Sequence, residues 1–201
     1  MNIISDEVYH IYNQGNNREN IFTDDSDYVQ FLRLFRKFVL PHCKVLAYCL
    51  MPNHFHFEIY ATKESAKAKK VGNIISTELS NGFRLLQSNY AQYFNKWQKR
   101  TGSLFRQKSK AKGMSDGSNN YSYIAFHYIH QNPFIAKLVS KIEDWKYSSF
   151  CDYAGLRNGT LCDKELAIKL IGFNADNFIS ESYALIDNDM SRKIFLKDED
   201  V

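Results

Sequence analysis

The sequence predicts an α+β fold: a ferredoxin-like antiparallel sheet with helices packed on one face, plus a C-terminal helical extension. Strand-like and helix-like segments alternate, so that two strand–helix–strand units follow one another along the chain. The chain has 201 residues, 44% of them hydrophobic, and can therefore bury a sizeable core in one domain.

The first unit opens with a strand at about Glu7–Gln14, which runs into the turn-forming sequence GNN. A helix should follow, because Asp24 or Asp25 can cap it and the chain is next interrupted at Pro41. Its apolar residues recur at helical spacing: Tyr28, Phe31, Leu32, Leu34, Phe35 and Phe38.

The sequences KVLAYCLM and HFHFEIY predict two further strands, or one long strand bent at Pro52 and Asn53, with Pro52 favouring a turn. Residues 63–70 are expected to form a basic loop. Residues 74–97 carry a long amphipathic pattern and should form the second main helix.

The remainder predicts shorter elements. GSLFRQ resembles a short strand, whereas SKAKGMSDGSNN has nothing to bury and is expected to be mobile. A helix over residues 121–131 should end before Pro133, where another begins, with Asn132 able to cap it. EDWKYSSFCDYAG should be partly extended, and residues 164–173 and 178–186 should form short tail helices.

Composition favours a cytoplasmic protein. No stretch approaches the ~20 apolar residues of a membrane-spanning helix, and MNIISDEVYH lacks the order of a signal peptide. The four cysteines show no CxxC spacing, so reduced thiols are expected.

The net charge of +4 is mild, but its distribution is uneven. One segment has seven basic residues and no acidic one: Lys96, Lys99, Arg100, Arg106, Lys108, Lys110 and Lys112. This block could neutralise several phosphates of a nucleic acid, or it could be a solvated helix end and loop. Arg18 in GNNR could likewise bind phosphate or bases, or simply belong to a turn.

A histidine pair is the most informative local feature. Because side chains alternate along a strand, His54 and His56 share a face, with Cα atoms roughly 6.6 Å apart. Both rings can converge on one cation, although a solvated strand face or a structural zinc pair would show the same spacing. On a predicted helix, Tyr128 and Asn132 also share a face because they are four residues apart.

Four separated motifs together resemble a known family. HFH after Met51-Pro52-Asn53, YIHQNP, WKYSSF and the opening YHIYNQGNNRENIF resemble the single-tyrosine transposases of the His-hydrophobic-His nuclease superfamily, most closely the REP-associated tyrosine transposases. The resemblance covers residues 9–153. It implies a catalytic domain at residues 1–153 and a helical tail at residues 154–201.

The resemblance also implies roles for individual residues. His54 and His56 match the histidines that bind a divalent ion, Mg²⁺ or Mn²⁺; Tyr128 matches the nucleophile; Asn132 matches the residue that completes the protein ligands. The family cuts single-stranded or hairpin DNA and leaves a 5′-phosphotyrosine and a free 3′-OH. Its relatives include monomers and homodimers, so the oligomeric state stays open.

The sequence leaves several alternatives open. Tyr128 could be a core tyrosine and Asn132 a helix cap. Glu58, where an apolar residue would be usual for the family, could be a further ligand, an acceptor for a histidine N–H, or solvent-facing. Besides a strand transferase, the chain could be a domesticated module that binds single-stranded DNA or RNA without cutting, or a metal hydrolase that attacks with water.

Overall fold

The computed structural model describes residues 1–114 and 121–184. Its strands are β1 (Glu7–Gln14), β2 (Cys43–Met51), β3 (His54–Ala61), β4 (Ala68–Val71), β5 (Ile74–Thr77) and β6 (Lys110–Gly113). Its α-helices are α1 (Asp25–Phe38), α2 (Lys63–Ala66), α3 (Glu78–Trp97), α4 (Tyr121–Ile135), α5 (Phe150–Tyr153), α6 (Lys164–Ile171) and α7 (Phe178–Ala184).

The main sheet has the strand order β2-β3-β1-β6, and every neighbouring pair is antiparallel. This is the order of a ferredoxin-like unit, so the predicted α+β fold is confirmed. β2 and β3 are joined by the two-residue turn Pro52-Asn53, which decides between the two predicted arrangements in favour of separate strands. Strands β4 and β5 form a separate hairpin between α2 and α3.

The predicted first helix is confirmed. The side chain of Asp24 accepts hydrogen bonds from the backbone N–H groups of Ser26 and Asp27, which satisfies donors that a helix start leaves unpaired. One stripe of α1 is buried and includes Phe31 and Phe35. This stripe packs on the sheet together with the apolar stripe of α3.

Helices cover both faces of the sheet, so the predicted packing of helices on one face only is corrected. Helices α1 and α3 lie on the face lined by Phe55, Phe57 and Ile59 of β3, as the ferredoxin-like prediction expects. Helix α4 lies on the opposite face, where Phe126 and Ile129 pack against β2 and the C-terminal helices. His56 and Glu58 of the sheet lie beneath α4, where they contact Tyr128 and Ser122.

Three local predictions are wrong. Residues 63–77 form a short helix and a hairpin, so α3 begins only at Glu78. Residues 110–113, expected to be mobile, form β6, while GSLFRQ contributes one isolated bridge from Phe105 to Gly15. Helix α4 continues through Pro133 to Ile135 instead of ending before it.

The predicted tail helices are confirmed as α6 and α7, within the described residues. Phe173 and Phe178 of this segment pack on Phe126 of α4. The division at residue 153 stays a prediction, and residues 185–201 and 115–120 lie outside the described part of the chain. Over the described ranges, no helix is both long and apolar enough to span a bilayer. All four cysteines are free thiols.

Candidate metal and nucleophile site

Two neighbouring strands place a polar cluster beneath α4. In β3 the side chains of His54, His56 and Glu58 point to the face opposite the phenylalanine core, as the period of two requires. In the neighbouring strand β1, His10 is the cross-strand partner of Glu58, and Tyr12 is the partner of His56. Cross-strand partners share a face, so the cluster spans two strands.

His56 is fixed by a hydrogen bond to His10. Its Nδ1 lies 2.9 Å from Nε2 of His10, and the two rings stack with centroids 5.1 Å apart and an angle of 18° between their planes. Burial holds the pKa of His56 well below its usual value, and the neighbouring His54 and His10 lower it further. Burial and the charge of Lys112 lower the pKa of His10 to about 3. Both imidazoles are therefore neutral near pH 7.

His54 is fixed by the turn that precedes it. Its Nδ1 lies 2.6 Å from Oδ1 of Asn53. Burial lowers the pKa of His54 to about 4, so this ring is neutral as well. The rings of His54 and His56 are 4.8 Å apart, centroid to centroid, and nearly perpendicular.

The two histidines fit a divalent metal ion. Nε2 of His54 and Nε2 of His56 are buried and have no hydrogen-bond partner among the described residues. A buried polar atom without a partner is costly, and a metal ion would satisfy both. Each ring also uses its Nδ1 for a hydrogen bond, which is the arrangement usual for ligating histidines.

Helix α4 brings Tyr128 to this cluster. Residues 121, 124, 125 and 128 of one helical face contact the β1–β6 side of the sheet. The ring of Tyr128 lies 6.2 Å from the ring of His56, centroid to centroid, in an edge-to-face arrangement. Tyr128 is 7% exposed and belongs to a small cluster with Ile124 and Ala125.

Asn132 lies one turn beyond Tyr128 on the same face of α4. Its side-chain nitrogen donates to the backbone oxygen of Tyr128 at 2.9 Å. The capping alternative is wrong, because α4 continues past Asn132 and the side chain bonds backward within the helix. The amide nitrogen is thus occupied, and the amide oxygen is the atom that remains to act as a ligand.

Glu58 is fully buried, so the solvent-facing alternative is wrong. Its carboxyl accepts a hydrogen bond from the hydroxyl of Ser122 near the start of α4. Burial raises the pKa of Glu58 to about 8, so the group is largely protonated at neutral pH. Within the described residues, no group of three or more His, Cys, Asp and Glu side chains is arranged to hold a metal ion. This argues against Glu58 as a third ligand.

The two histidines of α4 point away from the site. His127 and His130 are fully buried and hydrogen bond to the hydroxyls of Ser182 and Ser149, respectively. They join α4 to the C-terminal layer and take no part in the polar cluster.

Part of the predicted basic block lies beside the cluster. Lys110 and Lys112 belong to β6, opposite Tyr12 and His10 of β1, and therefore point to the same face as the histidines. Their ammonium groups lie over aromatic rings: Lys110 is 5.8 Å from the ring of Tyr12, and Lys112 is 4.8 Å from that of Tyr121.

The other predicted basic residues are spread along the chain that leads to β6. Arg106 lies beside the end of β1, where its backbone N–H donates to Gln14. Lys99 and Lys108 are exposed. Arg100 forms an ion pair with Glu19 at 2.9 Å, which offsets its charge.

Arg18 is connected to the histidine pair through the turn between β2 and β3. It is exposed and has φ of 59°, and its backbone oxygen accepts a 3.4 Å hydrogen bond from the side chain of Asn53. Asn53 in turn contacts His54. Arg18 therefore lies at the His54 end of the sheet.

His10 is the residue of this cluster that the motif interpretation missed. The signal was present in the sequence, because His10 and Tyr12 alternate in a predicted strand as His54 and His56 do. What the sequence lacks is the pairing of β1 with β3, which brings together residues 46 positions apart.

Of the comparisons with known proteins, the structural one gave a match. No protein-family model matches the chain, and no curated protein matches it either. Among solved structures, the fold is similar to that of a REP-associated tyrosine transposase bound to a REP hairpin, with a TM-score of 0.54 and 14% sequence identity. The similarity covers 80% of this chain and 90% of that one, and it shows a shared fold.

Proposed function

We propose that this protein is a metal-dependent, single-tyrosine DNA strand transferase. The observation that carries the proposal is the position of the Tyr128 ring, 6.2 Å from His56, beside two buried histidine nitrogens that have no partner among the described residues. The fold shared with a tyrosine transposase supports the same function. Substrate, metal and chemistry are inferences from these observations together.

His54, His56 and Asn132 are the proposed ligands of a divalent ion. Two neutral imidazoles and one amide oxygen form a mixed nitrogen and oxygen set with open positions, which suits Mn²⁺ or Mg²⁺. When bound, such an ion supplies Lewis-acid stabilisation of the charge on a scissile phosphate. The protein contributes the orientation of the rings, through Asn53 and His10.

Tyr128 is the proposed nucleophile. Its phenol loses a proton as its oxygen bonds to phosphorus, and the bond from phosphorus to the 3′ oxygen of the DNA breaks. The leaving oxygen gains a proton and becomes a free 3′-OH, while the 5′ phosphate stays on Tyr128. One phosphoester replaces another, so the step is close to reversible and needs no ATP. Attack of a 3′-OH on the phosphotyrosine then joins strands.

The proposed partner is single-stranded or hairpin DNA. Lys110 and Lys112 lie on the face that carries the histidines, where they can contact phosphates next to the scissile one. Lys108, Arg106 and Lys99 extend the positive charge along the preceding chain. Binding through such contacts should weaken steeply with salt.

A covalent-capture assay tests the proposal. Purified protein is incubated with labelled single-stranded and hairpin DNA pools and Mn²⁺, and an SDS-stable adduct is sought. The variant Tyr128→Phe should form no adduct but should still bind DNA. The control Tyr123→Phe removes a hydroxyl of the same helix that contacts Glu181 in the C-terminal layer, and should retain the adduct.

The outcomes separate the three functional hypotheses. An adduct that requires Tyr128 supports the strand transferase. If the protein binds DNA but gives neither adduct nor cleavage with any DNA pool, in Mn²⁺ or in Mg²⁺, the result would favour a module that binds without cutting. Cleavage that survives in Tyr128→Phe would show that water is the nucleophile.

A further inference from the structure

A histidine can bind a metal through Nε2 only if its proton is elsewhere. A neutral imidazole carries one proton, on Nδ1 or on Nε2, and the hydrogen bond at one nitrogen determines which form is present. For Nε2 of His54 and Nε2 of His56 to bind an ion, both rings must carry the proton on Nδ1. Each Nδ1 then needs an acceptor.

For His54 the acceptor is unambiguous. Oδ1 of Asn53 lies 2.6 Å from Nδ1, and an amide oxygen can only accept. The other end of the same amide donates to the backbone oxygen of Arg18, which fixes the orientation of the amide. The turn between β2 and β3 thus leaves Nε2 of His54 with its lone pair.

For His56 the partner is another imidazole. Nε2 of His10 lies 2.9 Å from Nδ1 of His56, and two pairs of neutral tautomers fit this contact. Either His56 donates and His10 carries its own proton on Nδ1, or His10 donates from Nε2 and His56 carries its own proton on Nε2. If His56 donates, its Nε2 keeps a lone pair for a ligand. If His10 donates, Nε2 of His56 carries a proton and cannot bind a metal. The state of this pair therefore decides whether the site is competent.

The position of His10 follows from the sheet register. His10 is opposite Glu58 and hence diagonal to His56 across the β1–β3 pair, which brings long side chains within reach of each other. The ring of Tyr12 stacks on His10 on one side, with centroids 4.9 Å apart, and His10 is 1% exposed. Few orientations of this ring are available.

We propose that His10 is a positioning residue for His56: it accepts the Nδ1–H of His56 and so directs the Nε2 lone pair of His56 to the metal position. The proposal rests on the proposed metal site, and it adds a residue that acts through His56 without touching ion or substrate. His10 and Asn53 thus perform the same task for the two ligands.

Nitrogen NMR of the protein without metal tests the tautomer directly. With ¹⁵N-labelled histidine, long-range proton–nitrogen spectra report which ring nitrogen of His56 is protonated. We expect protonation of His56 at Nδ1 in the wild type and in His10→Gln. The side-chain oxygen of glutamine lies about as far from the backbone as Nε2 of histidine does, and it can accept the same hydrogen bond. We expect a mixed or reversed tautomer in His10→Leu. Protonation of His56 at Nε2 in the wild type, or the same tautomer in His10→Leu, would refute the role of His10.

Metal titration tests the consequence. The dissociation constant for Mn²⁺ or Co²⁺ should rise by about 10- to 100-fold in His10→Leu and return to within a few fold of the wild type in His10→Gln. His127→Asn is the control, because His127 is equally buried but hydrogen bonds to Ser182, away from the site. It should leave metal affinity unchanged. An equal loss of affinity in this control would mean that general destabilisation explains the result.

The two measurements distinguish an incorrect metal site from an incorrect role of His10. A wild type that binds neither ion would overturn the metal site and with it the proposed function, whatever the spectra show. A wild type that binds the ion while His10→Leu binds it equally well would overturn only the role of His10. Unfolding midpoints of all variants identify any that do not fold.

Discussion

Acid should destabilise the protein through His127. The structure shows two features with opposite effects on the pKa of this residue. The ring is fully buried between α4 and α7, and its Nδ1 lies 2.8 Å from the hydroxyl of Ser182. On the other side, its Nε2 lies 4.0 Å from a carboxylate oxygen of Glu181. Burial disfavours the charged imidazolium, whereas the carboxylate favours it.

Burial should win. At 4.0 Å the contact with Glu181 is too long for a hydrogen bond, and that carboxylate already accepts one from Tyr123 at 3.1 Å. Burial lowers the pKa of His127 from 6.5 to about 4. Below pH 6.5 the unfolded chain therefore binds a proton that the folded protein does not bind, and stability falls as the pH falls towards 4. Linkage gives a loss of about 3 kcal/mol from this one group between pH 7.5 and pH 4.

Urea unfolding at a series of pH values, with wild type and His127→Asn in parallel, measures this loss. The wild type also contains other buried histidines with lowered pKa values, including His10 and His54, so its total slope should be steeper than one group provides. The difference between the two proteins isolates His127. Their free energies of unfolding should converge by about 3 kcal/mol on going from pH 7.5 to pH 4. If the difference in free energy of unfolding stays constant, or if the wild type gains stability relative to the variant on acidification, burial does not determine the pKa of His127 and the carboxylate of Glu181 offsets it.

Two further predictions concern packing and the site. Gly82→Ala should lower the unfolding midpoint, because a Cβ at this position would lie 2.4 Å from the backbone oxygen of Phe38. This clash should outweigh the preference of a helix interior for alanine over glycine, which is about 1 kcal/mol. A midpoint equal to that of the wild type would contradict the close contact of α1 and α3. Asn132→Ala should weaken Mn²⁺ binding by about tenfold or more in calorimetric titration. Asn132→Asp keeps a side-chain oxygen and should retain Mn²⁺ binding. Unchanged affinity in Asn132→Ala would show that Asn132 is not a ligand.

Elements defined by local signals were predicted well. Strand β1 has the predicted bounds, and α1 begins at the predicted cap because the Asp24 side chain satisfies donors only a few residues away. The sharing of a face by His54 and His56 depends only on the period of a strand, and it is present in the structure.

Elements defined by distant partners were not predicted. KAKG has no apolar side chain larger than that of Ala111, and it becomes β6 because it pairs with β1. Pro133 is a local signal for a helix end, but the helix continues past it, because Phe126, Ile129 and Phe134 of α4 pack against β2 and the C-terminal helices. The β4–β5 hairpin did have a local signal, the Gly72-Asn73 turn between two short strands, which the helical pattern of the following residues masked.

The sequence by itself determined which side chains share a strand face or a helix face, because period two and period 3.6 are properties of the backbone. It therefore placed His54 with His56 and Tyr128 with Asn132. Only the tertiary structure decided that the ring of Tyr128 lies near that of His56, that His10 lies against His56, and that Glu58 is buried against Ser122. Those contacts join separate elements, and their geometry follows from strand pairing and from the packing of α4 on the sheet, which no local pattern specifies.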